Sequence, residues 1–424
     1  MTRFEKHGKL RVASSGRHLE HENTAPFFLL ADTVWNGPLK ASDDDWETFL
    51  EDRQRKGFIG IQFISAAPWR AAPTDGDGQA AFDTRQNIAL NEAFFDRMDR
   101  RIEAINRHDM VAMPVLVWGC TKDDPGQYLP EADLLKLVQY QVQRFDRHAV
   151  IWIPVGDGTY TGATAERWKR IGRAVFGAHA HQPVILHPAG MIWPHDEFVG
   201  EDWIDMLGYQ SGHSVRDDYL EWIHSGPPAQ AWRKTPPKPI VNLEPPYEEH
   251  VGYFSNCRLS RYDVRRAGWW SILSAPPAGI TYGAHGIWSW EESEALPMNH
   301  PGSGTARPWH VAKDLPGATD YCRMARFLSK LPWWKLRPDD SLLRFRPGAT
   351  DPARYISVCM SEDRRCAVVY LPLGLDVTLD LTRLAAPPRA EWFNPRSGAY
   401  SPAVEALGRF RAPDAEDWVL LLQA

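Results

Sequence analysis

Lys238 to Glu249 reads KPIVNLEPPYEE. Ile240-Val241-Asn242-Leu243 has the length and β-branched composition of a buried strand, and Pro245-Pro246 forbids its continuation. Glu244 therefore stands where a strand stops. In a parallel barrel, that end carries the loops that do chemistry. Val150 to Asp157, VIWIPVGD, ends its apolar run in the same way, with a carboxylate ahead of Gly158. Two acids at two strand ends are the pair that hydrolysis of a glycosidic bond requires.

Outward from these stretches the chain alternates strand and helix. Residues 4 to 20 alternate weakly and predict a small sheet or lid over one end of the larger domain. The first strong strand is Pro26 to Ala31, ending in Asp32-Thr33. Ser42 caps a helix with acids in its first turn and Trp46, Phe49 and Leu50 at helical spacing. Gly57 ends that helix, and Gly60 to Ser65 is the second strand. The loop Ala66 to Asn91 is long enough to predict a wall of the site. Helices over Glu92–His108, Pro130–Arg147, Thr164–Ala178, Val215–Trp232, Arg261–Leu273 and Thr319–Leu328 are predicted. They alternate with strands at Val111–Val117, Val150–Val155, Pro183–Leu186, Ile204–Tyr209, Ile240–Leu243 and Gly279–Tyr282. Eight alternations over residues 1–334 predict an α/β fold, a (β/α)₈ barrel with a short N-terminal β extension. A doubly wound open sheet is the competitor, but no glycine-rich phosphate loop follows the first strand. Residues 335–424 read as short β-rich runs broken by turns, which predicts a small antiparallel β-sandwich as an accessory domain.

The chain has 424 residues and a net charge of −6, with no basic run. That argues against nucleic acid and anionic membrane as partners. Five cysteines without metal-ligand spacing read as reduced thiols. Met1 to Val12 shows no apolar signal-peptide core, so the expected compartment is the cytoplasm. The oligomeric state is left open.

The strand ends collect polar and aromatic residues: Asp32, Gln62, Trp118, Asp157, His187, Gln210 with His213, Glu244 with Tyr247, and Tyr282 with His285 near Trp288. One polar pocket at the C-terminal mouth explains them together better than eight separate structural roles do. In it Asp157 is expected to be the general acid/base and Glu244 the nucleophile, with net retention. Tyr247 would fix Glu244. Asp32, Gln62, His187, Gln210, His213, Tyr282 and His285 would surround the sugar, and Trp118 and Trp288 would stack on it. This chemistry calls for no cofactor. Two alternatives stay open: a metal-dependent barrel hydrolase using His187, His213, His285 and Asp157, and a non-catalytic carbohydrate-binding protein.

Leu30-Ala31-Asp32-Thr33-Val34-Trp35, Lys56-Gly57-Phe58-Ile59-Gly60-Ile61-Gln62, His187-Pro188-Ala189-Gly190, Gln210-Ser211-Gly212-His213 and Glu244-Pro245-Pro246-Tyr247-Glu248 resemble the apiosidase-like glycoside hydrolases. These are DUF4038 barrels grouped with glycoside hydrolase family 140. The C-terminal part resembles the small β-sandwich known as a collagen-binding-type domain. The resemblance implies a catalytic Asp after strand four and a catalytic Glu after strand seven, matching Asp157 and Glu244. It also implies a plant-derived or related glycan substrate, with apiose-containing pectin side chains as the known case. Gly156-Asp157-Gly158-Thr159 departs from the family pattern, lacking a second Gly before the Asp and an Asn after it. The Ala66 to Asn91 loop is particular to this chain.

Overall fold

The computed structural model describes residues 1–177, 180–346 and 350–424. Six parallel strands form one curved sheet: Leu29–Thr33, Gly60–Ile64, Val111–Val115, Leu207–Gln210, Ile240–Glu244 and Gly279–Gly283. Their spatial order is third, second, first, eighth, seventh, sixth, so the first and last strands of the barrel are neighbours. Two irregular segments close the gap between the third and the sixth. Ala112, Val115 and Trp118 bridge Val150, Ile153 and Gly156; Trp152 bridges Val184; and Ile185 bridges Met206. The ring is thus a (β/α)₈ barrel with two frayed staves.

Those staves depart from the expected strands at Val150–Val155 and Pro183–Leu186. Among the described residues of these staves, ladder pairing survives only between Gly156–Gly158 and His187–Pro188, and there with a shift in register. Pro154, Pro183 and Pro188 each remove an N–H that a ladder needs. Proline also divides the expected helix Val215–Trp232 into Asp217–Ser225 and Pro227–Ala231, at Gly226-Pro227-Pro228. The expected helix Thr164–Ala178 runs Gly162–Phe176, and its last residue, Ala178, lies outside the described residues. The expected first strand is split: Pro26–Phe27 joins Leu10–Val12 and Leu19–His21 in an N-terminal antiparallel sheet, and Leu29–Thr33 enters the barrel. Leu10, Leu19 and Phe27 share the barrel core, which places that sheet at the starts of the strands, opposite the mouth.

From Leu336 onward the chain forms a six-stranded and a four-stranded antiparallel sheet. Strand Cys366–Leu371 is buried at every position because both of its faces are covered. Cys366, Val368 and Tyr370 pack on the barrel, while Ala367, Val369 and Leu371 face the four-stranded sheet. The period-two alternation of a strand thus becomes a continuous apolar run. Trp269 of helix Arg261–Leu273 stacks on Tyr370 with ring centroids 5.7 Å apart. Beside them Arg265 makes a bidentate pair with Asp417, at 2.8 and 2.7 Å, and reaches Asp320 at 2.8 Å. All three side chains are out of water.

Candidate active site

The seventh strand carries an irregularity that aims Glu244. Asn242 pairs with Tyr209 of the sixth strand and Glu244 with Gln210, so Leu243 is one residue too many on its side. Such a bulge re-aims a side chain without ending the ladder. Tyr209 and Gln210 point to opposite faces, so the extra residue turns Glu244 away from the face of Asn242 and brings it level with Gln210 on the cavity side. The bulged carbonyl of Leu243 accepts from Thr281 Oγ1 at 2.6 Å and Gln62 Nε2 at 2.9 Å. Asn242 Oδ1 accepts from the Glu244 N–H at 3.2 Å, and Asn242 Nδ2 donates to Ser211 and Ser271.

Asp157 is positioned differently. Its backbone is left-handed, φ 52°, a conformation that favours glycine and that other residues adopt at a cost of about 1 kcal/mol or more. Its N–H donates to His187 Nδ1 at 3.4 Å. That ring nitrogen is therefore bare, and the proton sits on Nε2, 3.3 Å from Glu244 Oε2. His213 repeats the device. Its Nδ1 accepts from the Tyr247 N–H at 3.2 Å, and its Nε2 donates to Glu244 Oε1 at 2.9 Å.

One amide joins the two acids. Gln210 Nε2 donates to Asp157 Oδ1 at 2.8 Å and to Glu244 Oε2 at 2.6 Å, spending both of its hydrogens. At Gly190 a Cβ would lie 2.6 Å from Gln210 Oε1, so only glycine leaves the amide room to turn this way. Carboxylate oxygens of Asp157 and Glu244 approach within 4.8 Å of each other and of His187.

The surroundings drive the two acids apart. Burial and then the negative Glu244 push the Asp157 carboxyl up to about 6, against His187, Arg70 and Gln210. Burial alone would raise Glu244 as well, but hydrogen bonds from His187 and His213 outweigh it and hold that carboxyl well below the usual carboxylate range. The pair is thus arranged to keep one proton, on Asp157. Gln210 occupies Oδ1, so the proton belongs on Oδ2, which faces Arg70 with Nη2 at 3.7 Å.

The acids line a cavity of about 270 Å³ at the barrel mouth, together with Trp118, Gln210, His213, Tyr247 and Trp288. His187 lies directly behind them, fully buried. Among the described residues the buried Tyr247 hydroxyl has no hydrogen-bond partner, so it does not fix Glu244 by a hydrogen bond as expected, although after burial itself it feels Glu244 most strongly. Besides His187, four of the residues expected in the pocket lie off its lining. Asp32 is claimed by Arg53, and both side chains are fully buried. Gln62 clamps the Leu243 carbonyl. The Tyr282 hydroxyl donates to Glu248 at 2.6 Å. His285 Nε2 donates to the Gly304 carbonyl at 2.7 Å, while its Nδ1 accepts from Trp288 Nε1 at 3.1 Å and so holds that ring.

The sequence reading did not single out Arg70, Cys120, His250, Tyr253 and His300, all of which line the cavity. Trp35 and Trp69 line it too. Trp35 closes the Leu30 to Trp35 stretch that carries the family resemblance, and Trp69 and Arg70 lie on the long loop expected to wall the site. Burial and the neighbouring His213 hold His250 well below its ordinary pKa, and burial takes His300 down to about 4. Their Nδ1 atoms are engaged by the carbonyls of Val251 at 2.6 Å and Met298 at 2.8 Å, leaving Nε2 bare as an acceptor.

Residues 13–335 match the family described as "Apiosidase-like, catalytic domain", and residues 338–423 match "Putative collagen-binding domain of a collagenase". No curated protein matches the chain. Among solved structures, a glycoside hydrolase family 5 protein from Bacteroides vulgatus superposes with a TM-score of 0.86 at 22% identity, covering 100% of this chain and 95% of its own. A structure described as a glycoside hydrolase gives 0.84 at 22% identity, covering 100% and 98%. A family 5 mannosidase from Rhizomucor miehei gives 0.57 at 13% identity, covering 77% and 100%.

Proposed function

The chain belongs to the apiosidase-like family of glycoside hydrolases, and on that premise we propose that it cleaves a glycoside with retention, Asp157 serving as general acid/base and Glu244 as nucleophile. The observation that carries this reading is the single Gln210 amide bonded to both acids while their surroundings drive their pKa values apart. Nearest oxygens within 4.8 Å, bridged by one amide, support the shorter carboxyl spacing of retaining enzymes, roughly 5 to 5.5 Å, over the roughly 6.5 to 9.5 Å of inverting ones.

In the first step Glu244 attacks the anomeric carbon as the glycosidic C–O bond breaks. The Asp157 Oδ2 proton passes to the departing oxygen. Neutralising Glu244 in the glycosyl-enzyme removes the charge that held Asp157 up, so Asp157 becomes the base that takes a proton from water in the second step. Before the attack, and again as the ester departs, the Nε2–H groups of His187 and His213 favour the ionised form of Glu244 and aim it. Trp118, Trp35 and Trp288 offer apolar faces to the sugar ring, and His250 and His300 accept from its hydroxyls. The substrate class carried by the family is a plant-derived or related glycoside.

A metal at Asp157, His187 and Glu244 is the competing reading. Four of its candidate ligand atoms are already engaged, Glu244 Oε1 by His213, Glu244 Oε2 and Asp157 Oδ1 by Gln210, and His187 Nδ1 by a backbone N–H, which leaves Asp157 Oδ2 and His187 Nε2. A cation would have to displace those donors, which favours acid/base chemistry. The test is a panel of aryl furanosides and pyranosides assayed with the parent chain and with Asp157→Asn and Glu244→Gln. Cleavage of at least one glycoside, lost by about 10²-fold or more in each folded variant, is the expected result. Hydrolysis of an ester or amide but of no glycoside would overturn the reading.

A further inference from the structure

Resting on that reading, we propose that the cavity is a dead end that admits only the tip of a glycan, so that the enzyme removes one terminal sugar, and that Asn299 is the residue that shuts its far side. Cutting inside a chain needs a cleft with two exits, one for each half of the chain. The loops after all eight strands supply lining residues, and the ties between those loops show where a chain could leave.

From the eighth strand round to the fourth the wall is continuous. Its lower course is built on Asn36, fully buried after the first strand. Asn36 Oδ1 accepts from Trp69 Nε1 at 2.9 Å, and Nδ2 donates to the carbonyls of Ala71 at 3.3 Å and Ser289 at 3.1 Å. One amide thus joins the loops after strands one, two and eight. The upper course is a clasp in which Asn299 Nδ2 donates to the Arg70 carbonyl at 2.6 Å. The Arg70 N–H donates to Asp124 Oδ1 at 3.3 Å, and its side chain reaches Cys120 and Asp157, carrying the wall across strands three and four. The rings between the two courses form a chain. His300 lies 5.0 Å from Trp288 and 6.1 Å from Trp69, and Trp118 lies 5.0 Å from Trp69 and 5.3 Å from Trp35. The four tryptophans are at most 4% exposed.

The other flank is tied as well. The Tyr253 N–H donates to the His213 carbonyl at 2.7 Å and the Val251 N–H to the Ser303 carbonyl at 2.9 Å, joining the loops after strands six, seven and eight. What remains is the segment after the fifth strand, where the lining is Ala189 and Gly190, both half-buried. A methyl group and a hydrogen make a low sill. Asp157 stands beside it, because Gly156–Gly158 pairs with His187–Pro188 and the Ala189 N–H donates to the Gly158 carbonyl. Glu244, after strand seven, stands farther in. The leaving group sits on the acid's side and points out over the sill, and the glycone points at the closed wall. At about 270 Å³ the chamber falls below the roughly 300 to 1,000 Å³ of sites for drug-sized ligands, which suits a single sugar ring.

The test uses matched pairs of 4-nitrophenyl glycosides built on xylose, arabinose, galactose, glucose and mannose, each pair a monoside and the bioside that extends it at the non-reducing end. First products are read by mass spectrometry. In the parent chain, release of intact disaccharide with nitrophenol should be slower than cleavage of the matching monoside by about 10²-fold or more. Asn299 has a left-handed backbone, φ 57°, which glycine adopts freely, so Asn299→Gly removes the clasp and keeps the loop. In that variant the bioside-to-monoside ratio should rise about 2- to 12-fold, the weight of one hydrogen bond. A general loss of stability would lower both rates and leave the ratio in place. Disaccharide released by the parent chain as fast as the monoside is cleaved, or an unchanged ratio in the variant, would overturn the proposal. Saturation-transfer NMR on Asp157→Asn reads the same preference without turnover. Monoside binding that the bioside does not match, with no hydrolysis by the parent chain, would refute the glycosidase reading alone. Equal binding of both, or binding of neither, would overturn the dead end.

Discussion

Gln210→Ala removes two hydrogen bonds, of 2.8 Å to Asp157 and 2.6 Å to Glu244. Both favour the ionised form of the acid that receives them, so both pKa values rise when the amide is gone. Glu244 keeps His187 and His213 as neighbours and stays the ionised member of the pair. Asp157 loses the one side chain that donates to it among the described residues. A hydrogen bond contributes about 0.5 to 1.5 kcal/mol net, and one pKa unit corresponds to about 1.36 kcal/mol. The Asp157 carboxyl, at about 6 in the parent chain, therefore moves up by roughly half to one unit. Activity needs Asp157 protonated before the first step, so the alkaline limb of kcat/KM shifts to higher pH by that amount. Its maximum falls as well, because the two acids lose their shared tether. The assay is a pH profile of kcat/KM on the best glycoside for the parent chain and the variant. A variant whose limb stays in place or moves to lower pH, at whatever amplitude, would refute the reasoning. Loss of amplitude alone is what a merely structural defect gives.

The same arrangement leads to three further outcomes. Glu244→Gly should lose hydrolysis and regain turnover with azide, giving a glycosyl azide of inverted configuration by product NMR; rescue at Asp157 with that stereochemistry would reverse the two roles. Prolonged chelation should leave kcat/KM unchanged, and a loss restored by zinc would instead make the cluster of Asp157, His187 and Glu244 a metal site. Arg265→Met leaves Asp417 in a dry interface with the Tyr370 hydroxyl at 3.2 Å but no cation, while Asp320 keeps Arg261 and Arg323. Breaking a buried pair costs about 3 to 5 kcal/mol, so calorimetry should show the thermal midpoint falling by several degrees, and an unchanged midpoint would remove the pair as a tie between barrel and sandwich.

Much of the barrel is legible because the staves are apolar runs that stop at a polar or aromatic residue, in several cases directly before Gly or Pro. The same rule located the segments bearing Asp157 and Glu244, which the fold brings into one cavity. It could not separate them from Asp32 and Tyr282, which end their strands in the same way. What distinguishes those two is a partner distant in sequence: Arg53 reaches Asp32 from the following helix, and Glu248 takes the Tyr282 hydroxyl. Arg70, Tyr253 and His300 come from loops, where no periodicity marks which side chain turns inward. The two frayed staves reflect Pro154, Pro183 and Pro188, whose missing N–H groups weaken a ladder that composition alone would have drawn as regular. The bulge at Leu243 leaves no sequence signal, since it depends on the register between two strands far apart along the chain.

Anomer-resolved proton NMR of the first product, recorded before mutarotation, tests the central claim most directly. Two acids joined through one amide, Glu244 attacking and Asp157 protonating, predict a first-formed sugar with the anomeric configuration of the substrate. A first-formed sugar of opposite configuration would require a water between the two carboxyls and would contradict the account.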